Sequence, residues 1–482
     1  MGDAMSKLQR QMTRRDLLKL GAGIAGLAAL AGCAPAATPA APTTAPAAPA
    51  AAGGAPAAAA GTPAVVAKTG DAFDWKRFKG ESIDVIFPKG SIYDVLQAVE
   101  KEFTDLTGIQ VSSEQIPEQQ QRQKQVIEFT SGATSFDVTA TSLHVQKSLF
   151  GKTKWLVDMR DMLKDPTLTS PDYDWADMSQ AGINLVTQAD GRVDTLPCKI
   201  DYWIIYWNKE LFAAKGVKYP TSFDELVAAA KALHDPSKNV AGFAARGLKN
   251  ANTPVWTSFM IDWGVDTVDA KGNMYTDGPE AIAAAELYKT LMKDYSPKGV
   301  AGFNWNECQT TFMQGQAAMW FDGIGFSTPL EDPKTSKIVG KVGYSPLPKG
   351  PKEQFSGMFG DGVGISSLSK KKGPAYLYCQ WFTNKQNQIR TLVSGAGAPP
   401  RNSAYKDQAA LKQLTVPQEW VDCLIQVGKM GHLSLPVIEP VTEFRDVFGV
   451  ALTNMIGGAD AATELKKATA DFKPVLEKSL KS

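Results

Sequence analysis

The sequence predicts an α/β fold in which a mostly parallel sheet carries helices on both faces. The first observation is a strand, helix, strand, helix, strand order between residues 82 and 138, which is typical of such sheets. The second is the absence of any repeat of about 20 to 50 residues, which argues against a solenoid or a propeller. The third is the length of 482 residues, which suits two or three domains with ample cores.

Hydrophobic periodicity defines the elements of this βαβαβ segment. Residues 82–87 alternate between two faces as a strand does, and residues 96–106 place apolar side chains on one helical face that ends at Gly108. The elements that follow are a strand at 109–111, a polar helix at 118–130 and a strand at 136–138. Since ligands bind at the carboxyl ends of parallel strands, loops 88–91 and 141–144 are expected at a cleft.

A second group of elements begins with a long strand. Residues 196–209 are rich in aromatic and β-branched side chains, which favour strands. Ser222 and Glu225 have the spacing of a capping box at the start of a helix, and Pro279 lies in the first turn of another helix. Residues 269–273 predict a turn between these two helices.

Residues 1–32 have the composition of an export signal. Arg14 and Arg15 lie in a basic start, and a short apolar run of small residues follows at 21–31. The run is about half the roughly 20 residues that span a bilayer, so it indicates a signal and not a membrane helix. The twin arginines resemble signals for the export of folded proteins, and the ending resembles a bacterial lipobox that would make Cys33 the lipid-modified first residue. The alternative is an ordinary cleaved signal with a chance cysteine.

Residues 33–72 predict a disordered tether. This segment consists almost entirely of Ala, Pro, Thr and Gly, so it has too little large apolar surface to offset the entropy of ordering. Its prolines favour extended conformations of about 3.1 Å per residue, which would hold a domain up to roughly 100 Å from a membrane. We therefore expect the protein on the outer face of the bacterial cytoplasmic membrane, or in the periplasm.

Charge and cysteine content exclude several classes of protein. The chain carries 51 basic and 50 acidic residues, and the signal contains five of the basic and two of the acidic ones, which leaves a net charge of −2. A near-neutral domain without basic runs is not built to bind nucleic acid. Because Cys198, Cys308, Cys379 and Cys423 are widely spaced, buried free thiols are expected, with a Cys198–Cys308 bridge as the alternative.

Standard motifs for catalysis or metal binding are absent from the sequence. The three histidines are far apart, and no HExxH, Cys/His cluster, GxSxG or phosphate-binding loop occurs. One GxGxxG at 21–26 falls inside the signal, and the glycines at 360–364 lack the acidic residue and βαβ setting of a dinucleotide site. We therefore expect no cofactor, no metal and no enzyme activity. A hydrolase with two converging carboxylates stays the alternative, because it needs no sequence motif.

Aromatic residues beside carboxylates or amides are the most suggestive chemical feature. The chain has 11 Trp, 12 Tyr and 21 Phe. The clearest groups are Asp201-Tyr202-Trp203, Trp305-Asn306-Glu307 and Trp320-Phe321-Asp322. A sugar ring lays its C–H face on an aromatic ring and offers its hydroxyls to charged side chains, a mixture typical of small-ligand clefts. Packing in the core is the alternative role for each ring.

Four stretches, in order, resemble the family-1 extracellular solute-binding proteins of ABC importers. The first is LPCKIDYWIIYWNKELFAAKGVKYPTSFDELVAAAKAL at 196–233, a strand ending in Tyr/Trp-Asn-Lys followed by helices. The others are FMQGQAAMWFDG at 312–323, GDGVGISSLSKKKGPAYLYCQWFTNKQNQ at 360–388 and GAGAPPRNSAY at 395–405. The stretch NWNECQTTFMQGQAAMWFD is most similar to members that take up sugars or polyols.

This resemblance implies the two-lobe periplasmic-binding-protein fold of type II, like that of maltose-binding proteins. Each lobe would be a mostly parallel sheet flanked by helices. Hinge crossings would join the lobes and let them close on a ligand. Lobe 1 is expected at 80–197 and 361–396, and lobe 2 at 200–358 and 402–480.

The resemblance also implies a set of ligand contacts. Asp201 falls where maltose-binding relatives place an acidic sugar ligand, and it is the first candidate. Asn252 and Trp256 match contact positions of lobe 2. Thr141 and His144 match those of lobe 1 but replace a Trp and an Asp, which favours a ligand smaller than a maltodextrin. The further candidates are Tyr202, Trp203, Trp305, Asp322, Asp361 and Arg401.

The function that the resemblance implies is transport without chemistry. A membrane-tethered monomer would capture a small carbohydrate, a sugar or a polyol, and deliver it to the permease of an ABC importer. Two candidates have structural alternatives: Asp322 could cap a helix or pair with a lysine, and Arg401 could brace the hinge. The alternative functions are an exported polysaccharide hydrolase, and the same fold with a peptide, a polyamine or iron as ligand.

Overall fold

Eight strands in the described part of the chain form one sheet. The computed structural model describes residues 72–269 and 271–481. The strands are β1 (Ser82–Pro88), β2 (Gln110–Ile116), β3 (Val138–Ser142), β4 (Leu196–Asn208), β5 (Met319–Gly323), β6 (Val342–Pro346), β7 (Ser356–Ile365) and β8 (Gly431–Leu433). Their order is β2-β1-β3-β7-β4-β5, with β6 beside β4 and β8 beside β7. The predicted signal, Cys33 and the tether up to residue 71 lie outside the described residues.

The sheet is mixed, with parallel strands in its first part and antiparallel pairs in its centre. β1 runs parallel to β2 and β3, as the βαβαβ order predicts. β7 is antiparallel to β3 and β4, and β4 is antiparallel to β5 and β6. The expectation of a mostly parallel sheet therefore holds for the first part only. The reason is that β4 and β7 pass each other in opposite directions. Outside the first part, the parallel pair is β7 with the short strand β8.

β4 connects the two parts of the sheet. It has 13 residues, of which 196–202 pair with β7 and 203–208 pair with β5 or β6. Its residues are buried on both faces except for the half-buried Trp207, as expected for an internal strand rich in aromatic and β-branched side chains. Ile200 also bridges Ala398, so three chain segments cross at this level.

Helices connect most of the strands and make up the carboxyl-terminal part of the chain. Their bounds among the described residues are Ser91–Gln97, Lys101–Thr107, Glu118–Ser131, Leu143–Thr153, Arg160–Lys164, Gln180–Val186, Lys209–Lys215, Phe223–Leu233, Thr253–Ile261, Pro279–Asp294, Trp305–Met313, Lys372–Phe382, Lys385–Val393, Gln408–Leu411, Gln418–Gly428, Val441–Ile456 and Ala461–Lys481. None of these is long and apolar enough to cross a membrane.

The helix signals in the sequence are mostly confirmed. The polar helix predicted at 118–130 is observed as Glu118–Ser131. Half of the predicted capping box is present, since the Ser222 hydroxyl accepts from the Glu225 N–H at 3.2 Å. The Glu225 carboxylate accepts from the N–H of Thr221, at 2.7 Å, and not from that of Ser222. The single helix predicted over 96–106 is instead two short helices, and the second ends at Gly108, whose φ of 74° favours glycine.

Separate hydrophobic cores pack on the two parts of the sheet. In the first core, Phe87 of β1 lies against Tyr93 and Phe382, with ring centroids 4.9 and 5.1 Å apart. In the second, Trp256 stacks on Phe448 at 5.5 Å within a cluster of helices. Both cores are rich in fully buried aromatic rings, which supply large apolar area on burial.

The four cysteines of the described residues are buried free thiols. The alternative of a Cys198–Cys308 bridge is wrong, because Cys198 belongs to the first core and Cys308 to a different cluster beside β5. The Cys198 thiol donates to the Asp361 carbonyl at 3.2 Å. Burial raises the pKa of both thiols well above the usual value, so they stay protonated.

Candidate functional site

A small cavity lies where β4 and β7 cross. Its volume is about 60 Å³. The carboxyl ends of β1 and β3 line it through residues 88–90, through Ser142 and through His144 in the helix that follows β3 directly. The cleft therefore lies where the sequence predicted it, although the expected loop at 141–144 is the end of a strand and the start of a helix. The other walls come from β4 and β7, from the start of the helix Glu118–Ser131, and from segments that carry Arg246, Trp305, Phe326 and Arg445.

Aromatic rings form flat apolar parts of the wall. Trp305 stacks on Phe326, with ring centroids 4.9 Å apart and an interplanar angle of 11°. Trp203 lies 6.0 Å from Phe359 at an angle of 65°. Because Trp203 is 2% exposed, its orientation is fixed by packing. The cavity therefore offers ring faces in more than one direction.

Arg246 is held at the cavity by a buried carboxylate. Its Nε lies 2.9 Å from Asp322 Oδ2 and its Nη2 lies 2.5 Å from Oδ1, a two-point contact. The guanidinium carbon lies 5.0 Å from the Trp203 ring centroid. Burial raises the pKa of Asp322, although Arg246 opposes this shift. Asp322 itself is fully buried behind the wall, so it presents Arg246 to the cavity.

Lys199 is fixed in a similar way from β4. Its Nζ lies 3.1 Å from Asp201 Oδ2, and Asp201 Oδ1 accepts from the Gly325 N–H at 3.0 Å. Lys199, Asp201 and Trp203 alternate along a strand, so they share one face. A Cβ at Gly325 would lie 2.9 Å from Asp201 Oδ2, so this close approach requires glycine. The charge of Lys199 therefore has a fixed partner.

Asp361 of β7 is a carboxylate on the cavity wall. The Tyr93 hydroxyl donates to its Oδ2 at 3.1 Å. Burial raises the pKa of Asp361, and the nearby Lys199 partly opposes that effect. The remaining lone pairs of this carboxylate can accept hydrogen bonds from a ligand.

Glu118, Arg122 and Arg445 form a second group of charges, at the start of the helix Glu118–Ser131. Arg122 pairs with Glu118 within one turn of this helix. Burial raises the pKa of Glu118, but Arg122, Arg246 and Arg445 outweigh it and hold this pKa well below its usual range. Burial, together with Arg122, lowers the pKa of Arg445 to about 9. The Arg445 Nε donates to the Asn250 carbonyl at 3.0 Å.

His144 is a neutral member of the wall. Its Nδ1 lies 3.4 Å from the Gly360 carbonyl oxygen, and its ring lies 5.3 Å from Phe359. Burial, with the positive charge of Arg445 nearby, lowers the pKa of His144 to about 3. The ring is therefore uncharged near neutral pH and can serve as a hydrogen-bonding group.

A larger cavity of about 660 Å³ meets the small one at Arg445, which lines both. It lies between the helices Glu118–Ser131, Leu143–Thr153 and Val441–Ile456. Its wall mixes apolar residues such as Val126 and Leu149 with exposed charges. It has none of the tryptophans of the small cavity.

Aromatic faces, paired charges and a neutral imidazole together suit a small hydroxyl-rich molecule. Ring faces pack against C–H surface. A guanidinium group donates to hydroxyl oxygens, and a carboxylate accepts from hydroxyl protons. In residues 72–269 and 271–481, no group of three or more His, Cys, Asp or Glu is arranged to hold a metal ion.

The structure places four of the sequence-based candidates on the cavity wall: His144, Trp203, Trp305 and Asp361. Asp201 and Asp322 lie directly behind the wall, where they pair with Lys199 and Arg246. Tyr202 lies outside the wall, because adjacent residues of a strand point to opposite faces.

Four other candidates lie outside the cavity wall, and three of them have hydrogen-bond partners there, whereas the buried Thr141 hydroxyl has none. Trp256 donates to the Ala281 carbonyl at 3.1 Å inside the second core. The Asn252 side chain donates to the Gly449 carbonyl at 3.0 Å, and Thr141 is buried within β3. Arg401 donates from Nε to the Thr383 carbonyl at 2.8 Å and lies 3.5 Å from Asp177, so it braces a crossing segment.

The sequence interpretation missed Lys199, Arg246, Arg445, Glu118 and Tyr93 as wall residues. Strand alternation could have found Lys199, because it lies two residues before Asp201. Arg246 lies in a loop and Arg445 in a late helix, and neither has a local motif. Their convergence at the cavity is a property of the tertiary structure.

The comparisons with known proteins agree on one family for this chain. The family model described as bacterial extracellular solute-binding protein matches residues 89–389. An erythritol/L-threitol-binding protein of Mycolicibacterium smegmatis is 25% identical over 420 residues, which are 82% of this chain and 86% of that protein. A probable amino-acid ABC transporter periplasmic-binding protein of Sinorhizobium fredii is 28% identical over 345 residues, which are 70% of this chain and 77% of that protein.

A solved structure shows the same architecture. It is the solute-binding protein of an ABC transporter from Agrobacterium radiobacter K84 in complex with ribitol. The TM-score is 0.76 at 24% identity, over 82% of this chain and 99% of that one. The fold is therefore the two-lobe, type II architecture that the sequence resemblance implies, with the mixed sheet described above.

Proposed function

The chain belongs to the bacterial extracellular solute-binding proteins, and from that premise we propose that it captures a small carbohydrate, a sugar or a polyol, for an ABC importer. The family consists of transport proteins and not of enzymes. The observation that carries the proposal is the small cavity, where the rings of Trp203 and Trp305 lie beside Arg246 and Asp361. An erythritol/L-threitol-binding relative and a ribitol-bound structural neighbour support the same class of ligand.

The size of the cavity supports a small ligand. At about 60 Å³ it is far smaller than the neighbouring cavity of about 660 Å³. The expected departures at Thr141 and His144 from the maltose-binding pattern point the same way. We therefore favour a single small sugar or polyol over a maltodextrin.

The ligand contacts that we propose are the wall residues. Trp203 and Trp305 would stack on C–H surface, while Asp361 and His144 would bind hydroxyls. Asp201 and Asp322 would act by holding Lys199 and Arg246 in place. The roles of Thr141, Tyr202, Asn252, Trp256 and Arg401 as ligand contacts stay predictions. The hydrogen bonds of Asn252, Trp256 and Arg401 support structural roles for these three.

Ligand capture would work by closure of two lobes. We assign residues 80–197 and 361–396 to lobe 1 and residues 200–358 and 402–480 to lobe 2. The first core lies almost wholly in the first set of residues and the second core almost wholly in the second, which supports this division. The Ser91 hydroxyl donates to the Gly325 carbonyl at 2.7 Å, a contact between the two sets. A ligand that binds the closed form more tightly would shift the population toward it, and the permease would recognise that form.

The cellular setting is a further part of the proposal. A lipid on Cys33 and the tether at 33–72 would keep the monomeric protein near its permease on the outer face of the membrane. Partition of the expressed chain into detergent, compared with Cys33→Ala, tests the lipid. Detergent partition that does not change in the variant would contradict lipid attachment at this residue.

The ligand class is tested by thermal unfolding of the purified chain with a panel of carbohydrates, amino acids, peptides and polyamines. A ligand at 100 times its dissociation constant adds about 2.7 kcal/mol to the free energy of unfolding. We expect a shift with one sugar or polyol and none with its epimers. A shift with amino acids, peptides or polyamines alone would contradict the proposed ligand class.

The hydrolase alternative is tested with oligosaccharides of the same sugar. We expect each to be recovered intact after long incubation with the protein. Product formation that disappears when Glu118 and Asp361 are each changed to the amide would contradict transport without chemistry.

A further inference from the structure

We infer that the carbohydrate carries a carboxylate at one end, as an aldonate does, and that Arg445 binds this group. The inference rests on the proposed function and names the ligand class more closely. It starts from the buried charges around the small cavity, because an ionised group inside a protein needs a partner of opposite charge.

Three buried cations beside the cavity each have a carboxylate partner. The pairs are Arg246 with Asp322, Lys199 with Asp201 and Arg122 with Glu118. Arg445 is 3% exposed and forms no ion pair with any residue of the described chain. Its Nε donates to a neutral carbonyl oxygen, that of Asn250, and its buried Nη1 has no hydrogen-bond partner.

The carboxylates nearest to Arg445 already have partners. Glu118 is held by Arg122. Asp446 lies 3.4 Å from Lys249 Nζ and accepts from the Asn250 side-chain amide at 3.2 Å. The positive charges of Arg122 and Arg246 add repulsion at Arg445. A guanidinium that lines a ligand cavity and has no carboxylate partner fits an anionic group of the ligand.

Asp361 lines the same cavity and has the complementary character. Tyr93 donates to it at 3.1 Å, and it can accept hydrogen bonds from hydroxyls. A ligand with an acid at one end and hydroxyls along the rest would supply a counter-charge to Arg445 and hydrogen-bond donors to Asp361. A planar carboxylate matches a guanidinium in two-point geometry and occupies little more space than a terminal CH₂OH, which suits a small cavity.

The test compares polyols and aldonates of equal chain length, for example ribitol with D-ribonate and erythritol with D-erythronate. Isothermal titration of the full chain at pH 7 measures both affinities. We expect the aldonate of the preferred pair to bind about tenfold more tightly than its polyol, since hydrogen bonds between charged groups are about twice as strong as neutral ones. Arg445→Met should remove this preference, and Arg445→Lys should retain part of it.

Lys124→Met is the matched control, because it removes a positive charge from the helix Glu118–Ser131 whose side chain is 32% exposed and pairs with Glu128. It should leave the aldonate-to-polyol ratio within about twofold of the wild-type ratio. Unfolding curves check that each variant is folded. If Arg445→Met does not fold, Arg445→Lys still tests the inference, because it should retain only part of the preference.

The outcomes separate the two proposals. A polyol that binds as tightly as its aldonate, or a preference that persists in Arg445→Met, would overturn the inference and leave the proposed function standing. Binding of neither polyols nor aldonates by the wild-type chain, with binding of another class, would overturn both.

Discussion

The buried cations on the two sides of the small cavity differ in whether the protein supplies a carboxylate partner. On the side where β4 and β7 cross, Lys199 lies 3.1 Å from Asp201, and this carboxylate also accepts from a backbone N–H. On the side of the helix Glu118–Ser131, Glu118 pairs with Arg122, and Arg445 forms no ion pair within the described residues. Lys199 therefore has a counter-charge without a ligand, whereas Arg445 has none. The comparison teaches that similar cations can serve as scaffold or as binding group, depending on whether the protein supplies a counter-charge.

The strongest test of the paired side is Asp322→Ala. This change leaves Arg246 buried without its counter-charge, which should lower the free energy of unfolding by about 3–5 kcal/mol. Denaturant unfolding of the wild-type chain and of the variant measures the loss in the free energy of unfolding. Asp105→Ala is the control, because its partner Lys101 is 82% exposed and the pair is worth about 0.5 kcal/mol or less. Equal losses in the two variants would mean that the buried pair is not a scaffold.

Asp262 is a buried carboxyl group without a cationic partner, and it lies away from the cavity. Burial raises its pKa to about 8, although its Oδ1 accepts from the Phe355 N–H at 2.6 Å. Between about pH 4 and 8 the folded protein therefore binds a proton that the unfolded chain releases, so stability falls as the pH rises. Asp262→Asn should remove a slope of up to about 1.4 kcal/mol per pH unit in this window. Unfolding curves of both proteins at pH 5 to 9 measure the slopes, and parallel profiles would contradict the shifted pKa.

Trp305→Ala tests the aromatic part of the cavity wall. A stacked ring contributes about 0.5–1.5 kcal/mol beyond its buried area, so affinity for the ligand should fall about threefold to tenfold. Isothermal titration measures the change. Trp207→Ala is the matched control, because Trp207 is also half-buried but packs against Phe212 and Tyr219 away from the cavity. An affinity that falls in the control and not in Trp305→Ala would place the ligand elsewhere.

The smallest effect is expected for an exposed contact between the proposed lobes. Lys152 Nζ lies 2.9 Å from Glu439, and the two side chains are 44% and 32% exposed. Lys152→Ala should change ligand binding by less than about 1 kcal/mol. The difference should disappear at about 1 M salt, where exposed charges are screened. A larger effect that disappears in salt would mean that surface charge controls closure, and one that resists salt would mean that Lys152 acts through contacts other than this exposed pair.

Local sequence patterns predicted where strands and helices lie better than they predicted which strands pair and in which direction. The alternation in β1 and the polar helix at 118–131 were readable, because each depends on nearby residues. The direction of β7 relative to β3 could not be predicted, because these paired strands are separated by more than 200 residues of sequence. The split of the helix predicted at 96–106 was also missed, because its apolar face continues across the break.

The candidate site shows the same limit. Trp203, Trp305, His144 and Asp361 were found through aromatic patterns and family resemblance, and the structure brings all four to one cavity. Trp256 was matched to a contact position, but every residue of its helix Thr253–Ile261 is buried, so sequence could not decide which face meets a ligand. The unpaired state of Arg445 depends on which carboxylates other residues take up, and no local pattern records that.

A crystal structure of the chain with its tightest carbohydrate ligand tests the central claim most directly. We predict the ligand in the small cavity, with the rings of Trp203 and Trp305 against its C–H surface and a ligand oxygen within hydrogen-bond distance of Arg445. A ligand in the larger cavity beside Val126 and Leu149, away from both tryptophans, would contradict the account.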